Sequence, residues 1–273
     1  MRPVPDQTIL VTGATDGLGC ALGLELARLG ARVLLHGRSE TKAEQARREI
    51  SEQTGNERVE VVIADLASPA AVRELATQVS GTTDELHALV NNAGIGGAPQ
   101  TRTEDGCELH FAVNYLSHFL LTRELLPLLD RSAPARIVNV ASIGQAPIDF
   151  DDPMLTQGYD PMRAYCQSKL AQISFTIELA ERLAGSRVTV NALHPATLMD
   201  TKMVRDYFGV PRTSVEEGLR ATLRLAIDPE LEGVSGRYYD GLDESRAHPQ
   251  SADPDARRRL WELSEQLTGG GPR

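Results

Sequence analysis

The sequence predicts a doubly wound α/β fold, a parallel sheet with helices on both faces, and three observations carry that prediction. Short β-branched, apolar runs alternate along the chain with longer stretches of helical spacing. The first run leads straight into a glycine-rich turn and a helix, the opening of a βαβ unit. No shift in composition and no internal repeat divides the 273 residues, a length that one α/β domain can fill.

Strands are expected at 8–12, 32–36, 59–64, 88–91, 136–140, 188–193 and 237–239. Leucines 22, 26 and 29 mark a helix over 19–29, and a charged helix over 42–54 stops at Gly55. Ser68-Pro69 opens a helix over 70–79, because a serine hydroxyl accepts a free first-turn N–H and a proline there forfeits none. Long helical patterns cover 104–129 and 162–183, and a last one covers 257–267. Two irregular segments directly follow strands. One is 143–161, with Pro147, Pro153, Gly158, Pro161 and the acids Asp149, Asp151 and Asp152; the other is 199–213. Ligands in open α/β sheets bind outside the carboxyl ends of strands, so these segments are expected to wall or cover a substrate site. Residues 269–273 are expected to fray.

Composition excludes several classes. Hydrophobic residues make up 41%, an ordinary globular value. The balance of 28 basic and 38 acidic residues, net −10, opposes non-specific nucleic-acid binding and attraction to an anionic membrane surface. Cys20, Cys107 and Cys166 are far apart and odd in number, which argues against a disulfide framework or a zinc site and points to a reducing cytoplasm. Residues 1–7 lack the apolar core of a signal peptide, and no apolar run approaches the roughly 20 residues of a membrane span.

The first turn reads Thr12-Gly13-Ala14-Thr15-Asp16-Gly17-Leu18-Gly19. Glycines at 13, 17 and 19 permit a tight turn, close backbone approach to a pyrophosphate and tight helix–strand packing. The helix start offers free N–H groups to phosphates, so Gly13, Thr15, Gly17, Leu18 and Gly19 are candidate cofactor contacts. Asp16 is acidic there and either folds back on the loop or touches ligand. The second strand ends at His36-Gly37-Arg38-Ser39 with no acid to hold a ribose 2′-OH. Arg38 therefore favours NADP(H) over NAD(H), or else is a solvated loop arginine. Asp65-Leu66 ends the third strand, where the carboxylate either accepts from an adenine amino group or caps the next helix. Asn91-Asn92-Ala93-Gly94 ends the fourth, where small residues let backbone pass close to a ribose.

Tyr165 and Lys169 share a helix face at i, i+4. A free tyrosine, with a pKa of about 10, is a poor base near neutrality, and a nearby ammonium favours its phenolate. Ser142, just after a strand, either donates to a carbonyl oxygen as charge develops or caps a turn. Asn114 sits inside a helical stretch that it suits poorly. It either marks a kinked carbonyl that orders a water behind the lysine or is a satisfied core amide.

Together these residues resemble the short-chain dehydrogenase/reductase family: the glycine motif at 12–19, Asp65, Asn91–Gly94, Asn114, Ser142, Tyr165 to Lys169, and His194-Pro195, in order over nearly the whole chain. The resemblance implies a single-domain Rossmann fold with a seven-stranded parallel sheet of order 3-2-1-4-5-6-7. It implies an oxidoreductase that moves a hydride between nicotinamide C4 and a carbonyl or alcohol carbon. Tyr165 would be general acid or base, Lys169 its activator and ribose ligand, Ser142 the substrate-orienting donor and Asn114 the anchor of a proton relay. Pro195, Thr197 and Thr201 would lie at the nicotinamide amide. Residues 148–152, 165–171 and 193–195 are similar to the branch with retinol dehydrogenases, WW-domain oxidoreductases and protochlorophyllide reductases, which implies a bulky apolar substrate and NADP(H). The family also suggests helix-mediated homo-oligomers, although some members of this branch are monomers. Ala196 stands where glycine is usual, a change tolerated unless φ is positive. Cys20 stands where a base is common and removes one 2′-phosphate contact. A non-catalytic cofactor sensor on this fold would be expected to lose one of Ser142, Tyr165 or Lys169. A sugar-nucleotide epimerase or dehydratase would carry a larger region after the Tyr-x-x-x-Lys pair.

Overall fold

In the computed structural model, which describes residues 2–269, eight strands form one sheet in the order β3-β2-β1-β4-β5-β6-β7-β8. The strands are β1 (Thr8–Val11), β2 (Arg32–Gly37), β3 (Val59–Ile63), β4 (Ala88–Asn91), β5 (Ala135–Val140), β6 (Val188–His194), β7 (Tyr238–Asp240) and β8 (Asp243–Ser245). The first seven run parallel in the expected order, and β8 turns back antiparallel on β7. The expectation of seven strands is thus short by one. Asp243, Glu244 and Ser245 are all exposed, so they carry no apolar alternation that a sequence pattern could register. A short, charged edge strand also discourages pairing with another chain.

The helices are α1 (Gly17–Arg28), α2 (Glu40–Thr54), α3 (Pro69–Thr82), α4 (Ser117–Arg131), α5 (Pro161–Arg182), α6 (Val215–Ile227) and α7 (Pro254–Leu267). Strand side chains alternate between two buried faces, which is why the strands read as continuous apolar runs. Ile9, Val11, Val33, Leu35 and Val90 pack with α1 and α6 on one face. Leu10, Leu34, Leu89 and Ile137 pack with α3, α4 and α5 on the other. Helix α7 lies outside α5 and seals it with Leu260 and Trp261.

The helix expected over 104–129 begins later. Residues 104–106 form a turn, Arg102 and Glu108 make an isolated bridge, and the helix opens at 109. Glu108 Oε2 accepts the Phe111 N–H at 2.7 Å, which makes this side chain the cap that fixes the start. The first turns, Phe111–Leu116, are π-helical before α4 proper. Gly269 bonds back to the Gln266 carbonyl, and the rest of the 269–273 tail lies outside the described residues. No described helix is long and apolar enough to cross a membrane. From β1 the chain builds outward in both directions, through β2 and through β4, and a cleft opens at the carboxyl ends of these strands.

Candidate active site

The cleft holds about 600 Å³ and runs from Arg38 and Asp65 over the glycine turn to Ser142 and Tyr165. Every residue expected to face a cofactor lines it, from Gly13 through Thr201. At the turn, Gly13 has φ +64°, and a Cβ there would lie 2.8 Å from Ala93 Cα. A Cβ on Gly19 would overlap the Gly13 carbonyl oxygen and lie 2.5 Å from Asn92 Nδ2. Asp16 folds back, its Oδ1 accepting the Gly17 N–H at 2.7 Å as the cap of α1. Thr12 and Asn92 clasp the turn to β4. Thr12 Oγ1 accepts the Asn92 and Ala93 N–H groups at 2.9 and 3.0 Å, and Asn92 Nδ2 donates to the Thr12 carbonyl at 2.8 Å.

His36 was not singled out by the sequence and has a defined task. Its Nδ1 accepts the Gly13 N–H at 3.2 Å, and its Nε2 faces the Ala64 carbonyl at 3.2 Å. The buried imidazole ties β2 to both neighbouring strand ends in its neutral form, and burial pushes its pKa down to about 4. Arg38, two residues on, is exposed at the cleft edge. Asp65 Oδ1 accepts the Ala67 N–H at 2.9 Å, so its first role is a turn cap.

At the other end three side chains converge, with a fourth, Asn114, behind them. Ser142 Oγ accepts the Gly144 N–H at 3.0 Å, which leaves the hydroxyl proton free to donate. The Ser142 carbonyl is held by the Tyr238 hydroxyl and by Gln145 Nε2, each at 3.1 Å. Burial raises the Tyr165 pKa, and the neighbouring Ser142 hydroxyl opposes the rise. Lys169 Nζ sits 5.7 Å from the centroid of the Tyr165 ring and donates to the Val140 carbonyl at 2.9 Å. Burial lowers the lysine to about 7. Asn114 stays behind the cleft wall within the π turn. Its Oδ1 accepts the Ile95 N–H at 2.8 Å, and its Nδ2 donates to the Ile95 carbonyl at 3.1 Å and to Ser168 Oγ at 2.9 Å. The side chain is therefore a fully used clamp between the loop after β4 and α5.

The walls are mostly apolar. Of segment 143–161, Ile143 and Gly144 line the cleft. Phe150 and Met154 instead pack on the core, Asp149 pairs with Arg163 at 3.0 Å, and Gln167 holds both the Asp149 N–H and the Pro153 carbonyl. Segment 199–213 arches over the opening. Its Phe208 ring meets the Tyr165 ring edge-on at 5.2 Å and rests where a Cβ on Gly96 would clash, at 2.6 Å. Ala196 is not among the positive-φ residues, so the loss of glycine there costs no backbone strain. Thr197 Oγ1 lies 3.0 Å from His194 Nε2, which steadies the first turn of this arch.

Residues 7–209 match the short chain dehydrogenase family model. The chain is 42% identical to mouse retinol dehydrogenase 13, over 97% of this chain and 85% of that protein. It is 37% identical to human polyprenol dehydrogenase, over 98% and 86%. Among solved structures, a Mycobacterium paratuberculosis protein superposes with TM-score 0.78 at 32% identity, covering 97% of this chain and 94% of that one. A Shigella flexneri short chain dehydrogenase complexed with NADP superposes with TM-score 0.71 at 28% identity, covering 86% and 97%. The chain belongs to the short-chain dehydrogenase/reductase family and is an NAD(P)-dependent oxidoreductase of its retinol dehydrogenase branch. Its own residues fit such a cofactor: a Cβ at Gly13 or Gly19 would close the space where a pyrophosphate must approach, and α1 points its N-terminus there.

Proposed function

We propose that the protein interconverts a bulky apolar alcohol and its carbonyl with NADP(H), using Tyr165 as general acid or base. The convergence of Ser142, Tyr165 and Lys169 at one end of a dinucleotide-sized cleft carries this reading. When bound, the nicotinamide cofactor supplies or accepts the hydride. Tyr165 gives its hydroxyl proton to the substrate oxygen during reduction and takes it back during oxidation. Ser142 donates to the same oxygen and so stabilises the charge that gathers on it. Lys169, as the ammonium, favours the tyrosinate and can bond ribose hydroxyls. Asn114 keeps the loop after β4 and α5 in register beneath the pair.

NADP(H) is favoured because His36 turns inward, β2 ends without a carboxylate, and Arg38 is free at the cleft edge. The apolar substrate is supported by Leu109, Val113, Ile143, Met162 and Phe208 along the cleft, and by relatives named for retinol and polyprenol. All-trans-retinal, a long-chain aliphatic aldehyde and a small polar ketone, each with NADPH or NADH, test both points. Higher kcat/KM for the two apolar carbonyls with NADPH is the expected result; a preference for the polar ketone or for NADH would overturn the respective half. Arg38→Ala should lower kcat/KM with NADPH and leave NADH unaffected. Tyr165→Phe should lower kcat by about 10²–10⁴-fold while NADPH still binds. Near-normal kcat in that variant would remove Tyr165 from the chemistry.

A further inference from the structure

Behind Lys169 lies a buried polar chain that the roles above do not use. Besides the Val140 carbonyl, Lys169 Nζ donates to Gln172 Oε1 at 2.9 Å, and Gln172 Nε2 lies 3.0 Å from His118 Nδ1. All three side chains are buried. Their donors and acceptors permit one arrangement when the lysine is charged. An ammonium has only donors, so Gln172 must turn its oxygen towards it. The amide nitrogen then faces His118, whose Nδ1 must accept, so the imidazole is neutral and carries its proton on Nε2. Burial favours that neutral form and pushes the His118 pKa down to about 3. The backbone of Gln172 is held as well. Its carbonyl accepts from Thr176 Oγ1 at 2.8 Å, and Thr176 Oγ1 accepts from Asn139 Nδ2 at 2.8 Å.

We propose that Gln172 and His118 are positioning residues for Lys169: the Gln172 oxygen is the side-chain acceptor that holds the ammonium beneath Tyr165, and His118 fixes which end of the amide faces it. The proposal rests on the Tyr165–Lys169 reading above. The groups around Nζ are Tyr165 on α5, the Val140 carbonyl on β5, His118 on α4 and His194 at the end of β6, the two histidines both sensing the lysine's charge. None of these is an anion near neutral pH, so the amide oxygen is the strongest side-chain acceptor the lysine has. With burial holding Lys169 near 7, a change of acceptor alters how much of it is charged at working pH.

The chain has three lysines, Lys42, Lys169 and Lys202, so the full-length protein grown with 13C-lysine gives three ε-carbon resonances to titrate. Lys169 is assigned by its loss in Lys169→Met. Gln172→Met, which keeps the volume and removes the acceptor, should lower the Lys169 midpoint by about one pH unit. Gln172→Glu should raise it by at least as much, and His118→Phe should lower it less than Gln172→Met does. A purely structural role would lower thermal stability without moving the midpoint in opposite directions. An unchanged Lys169 midpoint in both Gln172 variants overturns the proposal. The titration needs no substrate, so this failure is distinct from loss of the Tyr165 reading, which Tyr165→Phe turnover reports.

Discussion

His36 illustrates how one buried side chain couples stability to cofactor binding. Its proton is bound in the unfolded chain below about pH 6.5 but in the folded protein only near 4. The unfolded state therefore binds more protons across that window. The contribution of the neutral imidazole is complete above about 6.5 and is lost as pH falls towards 4. The shift corresponds to about 3 kcal/mol. His36→Ala should flatten the pH dependence of stability between about pH 4 and 6.5, measured by urea melts across that range. Because the Gly13 N–H also loses its acceptor, NADPH should bind roughly tenfold more weakly. Unchanged binding and an unchanged slope would together remove His36 from the turn. A histidine at the end of β2 is readable in the sequence; that its ring turns inward to Gly13 is not, because the contact joins residues 23 positions apart.

Among the elements, the strand–turn–helix at β1 and α1 was the most legible. Glycine requirements are local, and the turn carries them in a few adjacent residues. Gly19→Ala adds a methyl into the Gly13 carbonyl, which cannot move without breaking the Asn92 clasp. The variant should lose cofactor affinity by more than tenfold and melt several degrees lower, measured by NADPH quenching and calorimetry. A wild-type affinity would show that the turn tolerates the shift. The π turn at Phe111–Leu116 was legible only as an oddity, an asparagine in a helical stretch. Its cause is the clamp of Asn114 on Ile95 and Ser168, which no local pattern encodes. The same holds for Phe208 over Tyr165 and Tyr238 on Ser142: the residue types were visible, the partners were not.

In the whole molecule, α7 changes what the other helices can do. Trp261 packs on Phe119 and Phe175, with ring centroids 5.0 and 6.0 Å away. Arg257 bonds Glu178 and Glu181, and Arg123 pairs with Glu265 at 3.0 Å. The outer face of α4 and α5 is thereby covered. Among the described residues, the exposed large apolar side chains include none on α4, and the one on α5, Met162, faces the cleft. Association through the outer face of α4 and α5 is therefore not expected, since helix-mediated association needs an apolar face to bury. A dimer seated on α4 and α5 would contradict this. Trp261→Ala should cost about 3–5 kcal/mol of stability.

The Tyr115 hydroxyl and Ser264 Oγ are 2.6 Å apart in the core, joining α7 to the turn that holds Asn114. The bond spans 149 positions of chain, so the turn under the site is complete only once the sheet and its last described helix have closed as one cooperative unit.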